Sequence, residues 1–551
     1  MKSVKKMLTL AMAMTLSISL VACGGAKSTS SNSNGQQITT SSEKILKVQF
    51  DVEVASMDPQ IAVDGTSFET IAAVTEGLYS VDEAGSAILA AAESADESED
   101  GLTYTFKIRD SKWSNGTKVT ANDFVFAWRR LVDPKTASEY AFMISIAGIK
   151  NADDVLAGTK GVEELGVTAK DDETLVVELS HPVTFFKSLL SFPSFYPVNE
   201  EFYTQAGDSF GTSKDTILSN GPYKISSYEP AATTIELVKN EDYWDADSVK
   251  LDGIQFQVIK EAQQTMLAYQ NGDLDVATLA GEQVEQFKND PEFNNVASGF
   301  LWYISLNLKV DGLENENLRK AIALSYDKEA IVNNILKDGS IVADFAVPEL
   351  LATGPDGKDF RETTGTYLST DKAKALEYYN KAKEELGKEA FTYKLMVEDT
   401  EAAQNVAQFI QSEIQTTLPG VTIELEVMPK KNRVERMQSG DFEAVLTRWG
   451  PDYADPMTYL DMWTTDSPNN YGFWSNAEYD AVIQSAKDGE LALDPEARWA
   501  ALQNAEKTVM DQAVILPVYQ KGNAVMIKSN VSGVENHSVG VPRIFKNATK
   551  N

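Results

Sequence analysis

A chain of 551 residues with a single cysteine must hold itself together without an internal disulfide. Its fold then rests on buried apolar surface, and a chain this long exceeds what one core can organise, so about three domains are expected. Apolar residues make up 43% of it, which is ordinary for a globular protein and enough for large cores. The lone thiol, Cys23, closes the segment Leu20-Val21-Ala22-Cys23. Lys2, Lys5 and Lys6 precede a largely apolar run from Met7 to Ala22. A basic start, a short apolar core and a small residue at the cut have the order of a secretory signal.

The position of Cys23 resembles a lipobox, the bacterial lipoprotein signal. The resemblance implies removal of residues 1–22, lipid attachment at the Cys23 sulfur, and anchoring at the extracytoplasmic face of a cell membrane, here a Gram-positive surface. Residues 23–42, rich in Gly, Ser, Asn, Gln and Thr, read as a flexible tether. Beyond this signal no apolar stretch of the roughly 18 residues that a membrane span needs is present.

The net charge of −33 disfavours nucleic acid, whose phosphates require basic partners. His181 and His537 are the only histidines. That weakens imidazole-rich metal or haem sites and a Ser-His-Asp hydrolase. No Walker loop, HExxH, EF-hand loop or G-x-S-x-G is present. The chain therefore reads as a binder rather than an enzyme, with no cofactor and no metal implied.

Strand and helix patterns mix throughout. Residues 45–50, 103–108, 234–238 and 421–427 alternate as strands, and residues 442–447 read as another. Residues 318–336 carry an amphipathic helical stripe. Residues 371–386 form a second helix, capped by Ser369 or Thr370 and stopped by Gly387, and residues 403–418 form a third. Helix followed by strand argues for mixed α/β domains.

Several distinct blocks stand in a set order. Ser56-Met57-Asp58-Pro59 precedes Glu76-Gly77-Leu78-Tyr79, and then comes the run 113–128, WSNGTKVTANDFVFAW. Asn220-Gly221-Pro222-Tyr223, Asn240 to Trp244, Leu306-Asn307 and Leu318-Arg319-Lys320-Ala321 follow, and Trp449-Gly450-Pro451-Asp452-Tyr453-Ala454-Asp455-Pro456 comes last. Together, over residues 47–527, they resemble the dipeptide and oligopeptide-binding lipoproteins of peptide ABC importers (solute-binding protein family 5), in their Gram-positive form. Most blocks read as scaffold. Thr120 caps a helix that holds Asp123 in its first turn, and Phe124 and Trp128 share a face.

The last block reads as a site, because a strand ends there in irregular backbone bounded by Gly450 and Pro456. The resemblance implies that Asp452 pairs with the ammonium of a bound peptide, a charge-assisted contact. It implies an aromatic wall at Trp449, and main-chain pairing at Arg448 and Gly450 and at Gly65 and Thr66. Asp455 reads as structural. Leu446 and Met437 stand where related receptors carry basic residues for the ligand carboxylate, leaving Lys430, Lys431, Arg433, Arg436 and Arg448 as alternatives, most of them expected to be solvated.

The resemblance also implies an α/β fold of periplasmic-binding-protein-like type II, two lobes and a hinge plus an extra domain. One lobe collects residues 43–72, 192–277 and 514–551, residues 73–191 are the family-specific insert, and residues 278–513 are the second lobe. The expected function is a monomeric, membrane-tethered receptor that captures oligopeptides for an ABC permease and its ATPase. A metal chelate, haem or oligosaccharide as ligand, or a role as peptide-pheromone sensor or surface adhesin, stands as the alternative.

Overall fold

The alternating run at the start of the folded chain becomes the strand Ile45–Phe50, whose Leu46, Val48 and Phe50 are fully buried. The computed structural model describes residues 44–229 and 232–551, apart from the side chain of Lys431; the signal, the tether and Cys23 lie outside the described residues. Ile45–Phe50 sits inside an 11-stranded mixed sheet. From one edge the order runs Val421–Met428, Phe391–Glu398, Ala444–Trp449, Phe293–Leu306, Ile515–Ile527, Val276–Thr278, Ile45–Phe50, Gly253–Val258, Thr234–Lys239, Tyr223–Ser227, with Ile341–Val342 paired off this path to Ile515–Ile527.

Parallel pairs occur in both halves of the sheet. In one of them the helix Glu401–Thr417 supplies the crossover that parallel strands need, between Phe391–Glu398 and Val421–Met428. The halves are joined by two long antiparallel strands, Phe293–Leu306 and Ile515–Ile527. At one end Ile515–Ile527 pairs with Val276–Thr278, and at the other Phe293–Leu306 pairs with Ala444–Trp449. Their mutual register shifts between Ala297 and Leu301, around Gly299. Such an irregularity bends and re-aims a strand.

A separate four-stranded antiparallel sheet is formed by Ala92–Glu97, Thr103–Ile108, Thr174–Glu178 and Val167–Ala169. The helix Ala121–Val132 packs on it, with the Thr120–Asp123 capping box in place and Phe124 and Trp128 fully buried.

The ordered blocks lock onto one another. The Glu76 carboxylate accepts from the Tyr243 hydroxyl and from Trp244 Nε1 (2.7 Å), while Glu76's amide and carbonyl bond the Asn220 side chain (2.9 and 3.0 Å). Asp58 is held by the buried Arg130 guanidinium. Arg319 donates to four carbonyls, those of Leu313, Glu314, Gln512 and Ala513. A Cβ on Gly221 would meet backbone of Val74 and Thr75 within 3.0 Å, so that position admits no side chain.

Three expectations are corrected. The stripe over residues 318–336 is not one helix. Glu316–Leu324 ends where the Ser325 hydroxyl bonds the Ile322 carbonyl (2.7 Å), and Asp327 caps a new start by accepting from the Ala330 amide (3.0 Å). The helix Lys372–Leu386 is capped by Asp371, which accepts from the Lys374 amide (2.9 Å), because Thr370 and Ser369 turn their hydroxyls to Tyr326 and Asp344. The strand expected at residues 442–447 is Ala444–Trp449, two residues later. Removing the cap with Asp371→Ala is expected to lower stability by about 1 kcal/mol, read as a shift of the urea unfolding midpoint.

Candidate functional site

The strand Ala444–Trp449 pairs with Phe293–Leu306 along its whole length, but with Phe391–Glu398 only at Ala444 and Val445. Past Val445 its other edge has no strand partner among the described residues, which leaves the backbone near Arg448 open to main-chain pairing. Beyond Trp449 the chain turns through Gly450-Pro451 into a loop held at several points. A Cβ on Gly299 would lie 2.4 Å from Pro451 Cγ, so the bulge of the neighbouring strand and the loop need that glycine to approach. Tyr459 donates its hydroxyl to the carbonyls of Gly299 and Trp449. Tyr453 stacks on Phe185 with centroids 4.2 Å apart. Asp455 accepts both amino groups of Arg498 (2.7 and 2.9 Å) in a buried pair.

Asp452 sits in the middle of this fastened loop. Its amide donates to Thr458 Oγ1 (3.0 Å), and its carboxylate has no hydrogen bond or ion pair among the described residues. Burial alone pushes it up to about 6. Burial raises Asp461 to about 6 as well, with the charges of Asp452 and Asp455 adding to the effect. Tyr140, from a distant part of the chain, is raised to about 12, first by burial and then by the charges of Asp452, Glu139 and Asp64. Tyr140 thus lies within electrostatic reach of both Asp452 and Asp64.

Asp64 caps the helix Gly65–Val74 by accepting from the Ser67 amide (2.9 Å). The amides of Gly65 and Thr66 open that helix without a protein acceptor among the described residues, as first-turn amides do. The Thr66 hydroxyl is committed to Asp64 (2.6 Å).

Asp452 lines a cavity of about 640 Å³. Its walls come from the turn at residues 80–87, Phe185, the loop at residues 350–359 and the C-terminal stretch around His537 and Ser538. Trp449, Arg448, Gly450, Gly65 and Thr66 are not among the residues that line it. Trp449 is half-buried and packs against the main core, its Nε1 buried without an acceptor. A Cβ on Gly450 would lie 2.4 Å from the Phe300 ring.

Arg448 pairs with Glu398 (3.0 Å) and lies over the Trp302 ring. Arg433 is 2% exposed, which corrects the expectation of a solvated side chain. It donates to Thr447 Oγ1 (2.8 Å) and faces Glu398 at 3.6 Å. Burial and the Arg448 charge pull its pKa down against the pull of Glu398. Met437 and Leu446 are buried. Sequence reasoning missed Thr458, Tyr459, Phe185 and Tyr140. Tyr459 and Thr458 follow the recognised block directly, but nothing local marks Phe185 or Tyr140, which arrive from distant chain.

Residues 87–471 match the family of bacterial extracellular solute-binding proteins, family 5. The chain belongs to that family. It is 33% identical to the dipeptide-binding protein of Lactococcus lactis over 96% of both chains. Among solved structures, Listeria monocytogenes OppA bound to peptide is 35% identical, with a TM-score of 0.73 over 93% of this chain and 100% of that one. The unliganded open form of MppA, a periplasmic murein tripeptide binding protein, is 26% identical, with a TM-score of 0.79 over 92% of this chain and 98% of that one. The backbone thus follows the open form more closely, although the sequence is nearer to the peptide-bound protein. The fold is the family's two-lobed α/β architecture of periplasmic-binding-protein-like type II with an added domain. No helix among the described residues is long and apolar enough to cross a membrane.

Proposed function

We propose that this protein captures peptides with a free N-terminus and hands them to a membrane ABC importer, and that Asp452 receives the ammonium. The observation that carries this reading is a half-buried carboxylate, fixed in place by its loop and left without a partner among the described residues, in the wall of a large cavity. An ammonium brought there replaces lost solvation with a charge-assisted bond. The unpaired strand edge near Arg448 and the free amides of Gly65 and Thr66 support main-chain pairing with the ligand, which tolerates many side chains.

The likeness to an open, unliganded relative supports closure about the two joining strands when ligand arrives. In this reading residues 43–72, 192–277 and 514–551 form one lobe, residues 278–513 the other, and residues 73–191 the insert. The protein works as a monomer without chemistry of its own. It is held outside the cytoplasm by lipid on Cys23, on a Gram-positive surface.

Native mass spectrometry of the purified protein, before and after mild denaturation, tests the ligand class. Co-purified masses that match peptides support the reading. Binding of a sugar, chelate or haem, with no binding from a mixed peptide library, sinks it.

Ionisation offers a second test. Asp452 titrates near pH 6 when empty and is expected to titrate lower with an ammonium beside it. Peptide binding near pH 6 should therefore release protons, seen as a heat that depends on buffer ionisation enthalpy. Affinity should weaken as pH falls below about 6. For stability the sign is opposite. The folded protein binds the extra proton between about pH 4 and about pH 6, so the contribution of Asp452 to stability falls as pH rises through that window.

A further inference from the structure

The cavity around Asp452 carries more negative charge than one ammonium can answer. Besides Asp452 and Asp455, its walls hold Glu83, Asp359 and Glu362, against one basic side chain, Lys187. Asp455 is neutralised by Arg498, and Lys187 is taken by Glu97 at 3.0 Å. His537 faces Glu535 at 3.9 Å.

The other carboxylates are placed by local structure. Glu83 stands in the turn between Tyr79–Val81 and Ala87–Leu89. Its neighbour Asp82 accepts from the amides of Ala84 and Ser86 (3.0 and 2.8 Å), which fixes the turn and leaves the Glu83 side chain exposed. Asp359 and Glu362 form a capping box in which each accepts a backbone amide, from Arg361 (2.9 Å) and from Asp359 (3.2 Å) respectively. Amide bonds leave the charge in place; the nearby Arg361 is engaged with Glu506, and its charge also acts on Asp359. Among the described residues none of Glu83, Asp359, Glu362 and Asp452 has a salt bridge.

Resting on the peptide reading above, we infer that this cavity selects peptides bearing lysine or arginine side chains, and that Glu83 and Glu362 set the preference. Carboxylates of one sign grouped around a cavity concentrate the opposite ion, and because Glu83 and Glu362 are exposed their effect is modest and screened by salt. A cationic side chain gains from the spare carboxylates, while an acidic one is repelled, so selection works in both directions. The apolar stems of lysine and arginine find cover on Leu350 and Trp499 in the same wall.

The test is titration calorimetry on the full chain with Ala-Lys-Ala, Ala-Ala-Ala and Ala-Glu-Ala, and with the same central residues in five-residue peptides. At low ionic strength the lysine peptide is expected to bind about 3- to 10-fold tighter than the alanine peptide, and the glutamate peptide weaker by a similar factor. Salt should narrow both gaps. The Glu83→Gln/Glu362→Gln double variant, which keeps the capping geometry, should bring the lysine and alanine peptides together. Equal affinities for all three peptides overturn the inference and leave peptide capture standing. A lysine preference that survives the double variant overturns the assignment to these carboxylates. Failure of every peptide to bind removes the peptide reading itself.

Discussion

Asp452→Asn is expected to weaken binding of a free-amine peptide by roughly a hundredfold, because it removes one partner of a desolvated charge pair and leaves an ammonium facing a neutral amide. The same peptide acetylated at its N-terminus should change by less than about threefold, since it brings no charge to that position. Calorimetry with the two peptide forms on both proteins completes a cycle in which the interaction energy appears as the non-additive part. Equal losses for both forms would remove Asp452 from its assigned role. The unliganded variant should also be the more stable protein near neutral pH. Asparagine has no ionised form to desolvate, whereas Asp452 is pushed up to about 6 by burial. A residue that weakens the empty protein and strengthens the liganded one is what a binding group looks like. A structural carboxylate such as Asp455, already paired with Arg498, should show the reverse.

The parts of this fold legible in the sequence were those fixed by local pattern. Ile45–Phe50 and Thr103–Ile108 fall where alternation puts them, and Thr120 opens the helix that holds Asp123 in its first turn, where the structure adds a capping box between the two. Where two local signals competed, the reading slipped. The apolar stripe across residues 318–336 is real, but Asp327 is also a cap, and its bond to the Ala330 amide divides the helix. Ser369, Thr370 and Asp371 are all good caps in sequence. Only tertiary partners at Tyr326 and Asp344 decide that Asp371 does the work.

The candidate site could be approached from sequence only through one local block. The strand end before Gly450-Pro451 marks the block as irregular backbone, but the role given to Asp452 within it comes from the family resemblance. The cavity wall opposite comes from residues 80–87, 185 and 536–544, which share no pattern with that block and meet it only through the fold. Burial was the least legible quantity. Arg433 lies in a helix of charged residues that looks solvated, yet it is enclosed between Thr447 and Glu398.

The largest stability effect is expected at Arg498→Met. Arg498 and Asp455 have side chains only 5% and 8% exposed, and the guanidinium also donates to the Ala486 carbonyl (2.8 Å). Methionine preserves an unbranched apolar stem but strands the Asp455 charge, a loss of about 3–5 kcal/mol for a buried pair. Asp455 also accepts from the Met457 amide (2.9 Å), so asparagine there keeps an acceptor for the loop. The double variant Asp455→Asn/Arg498→Met should therefore recover a large part of the loss, measured as the urea midpoint followed by tryptophan fluorescence. Equal destabilisation of single and double variants would mean that lost packing of Arg498, rather than a stranded charge, is the cause. Because this pair fastens the loop that carries Asp452, the single variant should also weaken free-amine peptides more than acetylated ones. A carboxylate that is free to move gives up the pre-set geometry on which a strong ammonium contact depends.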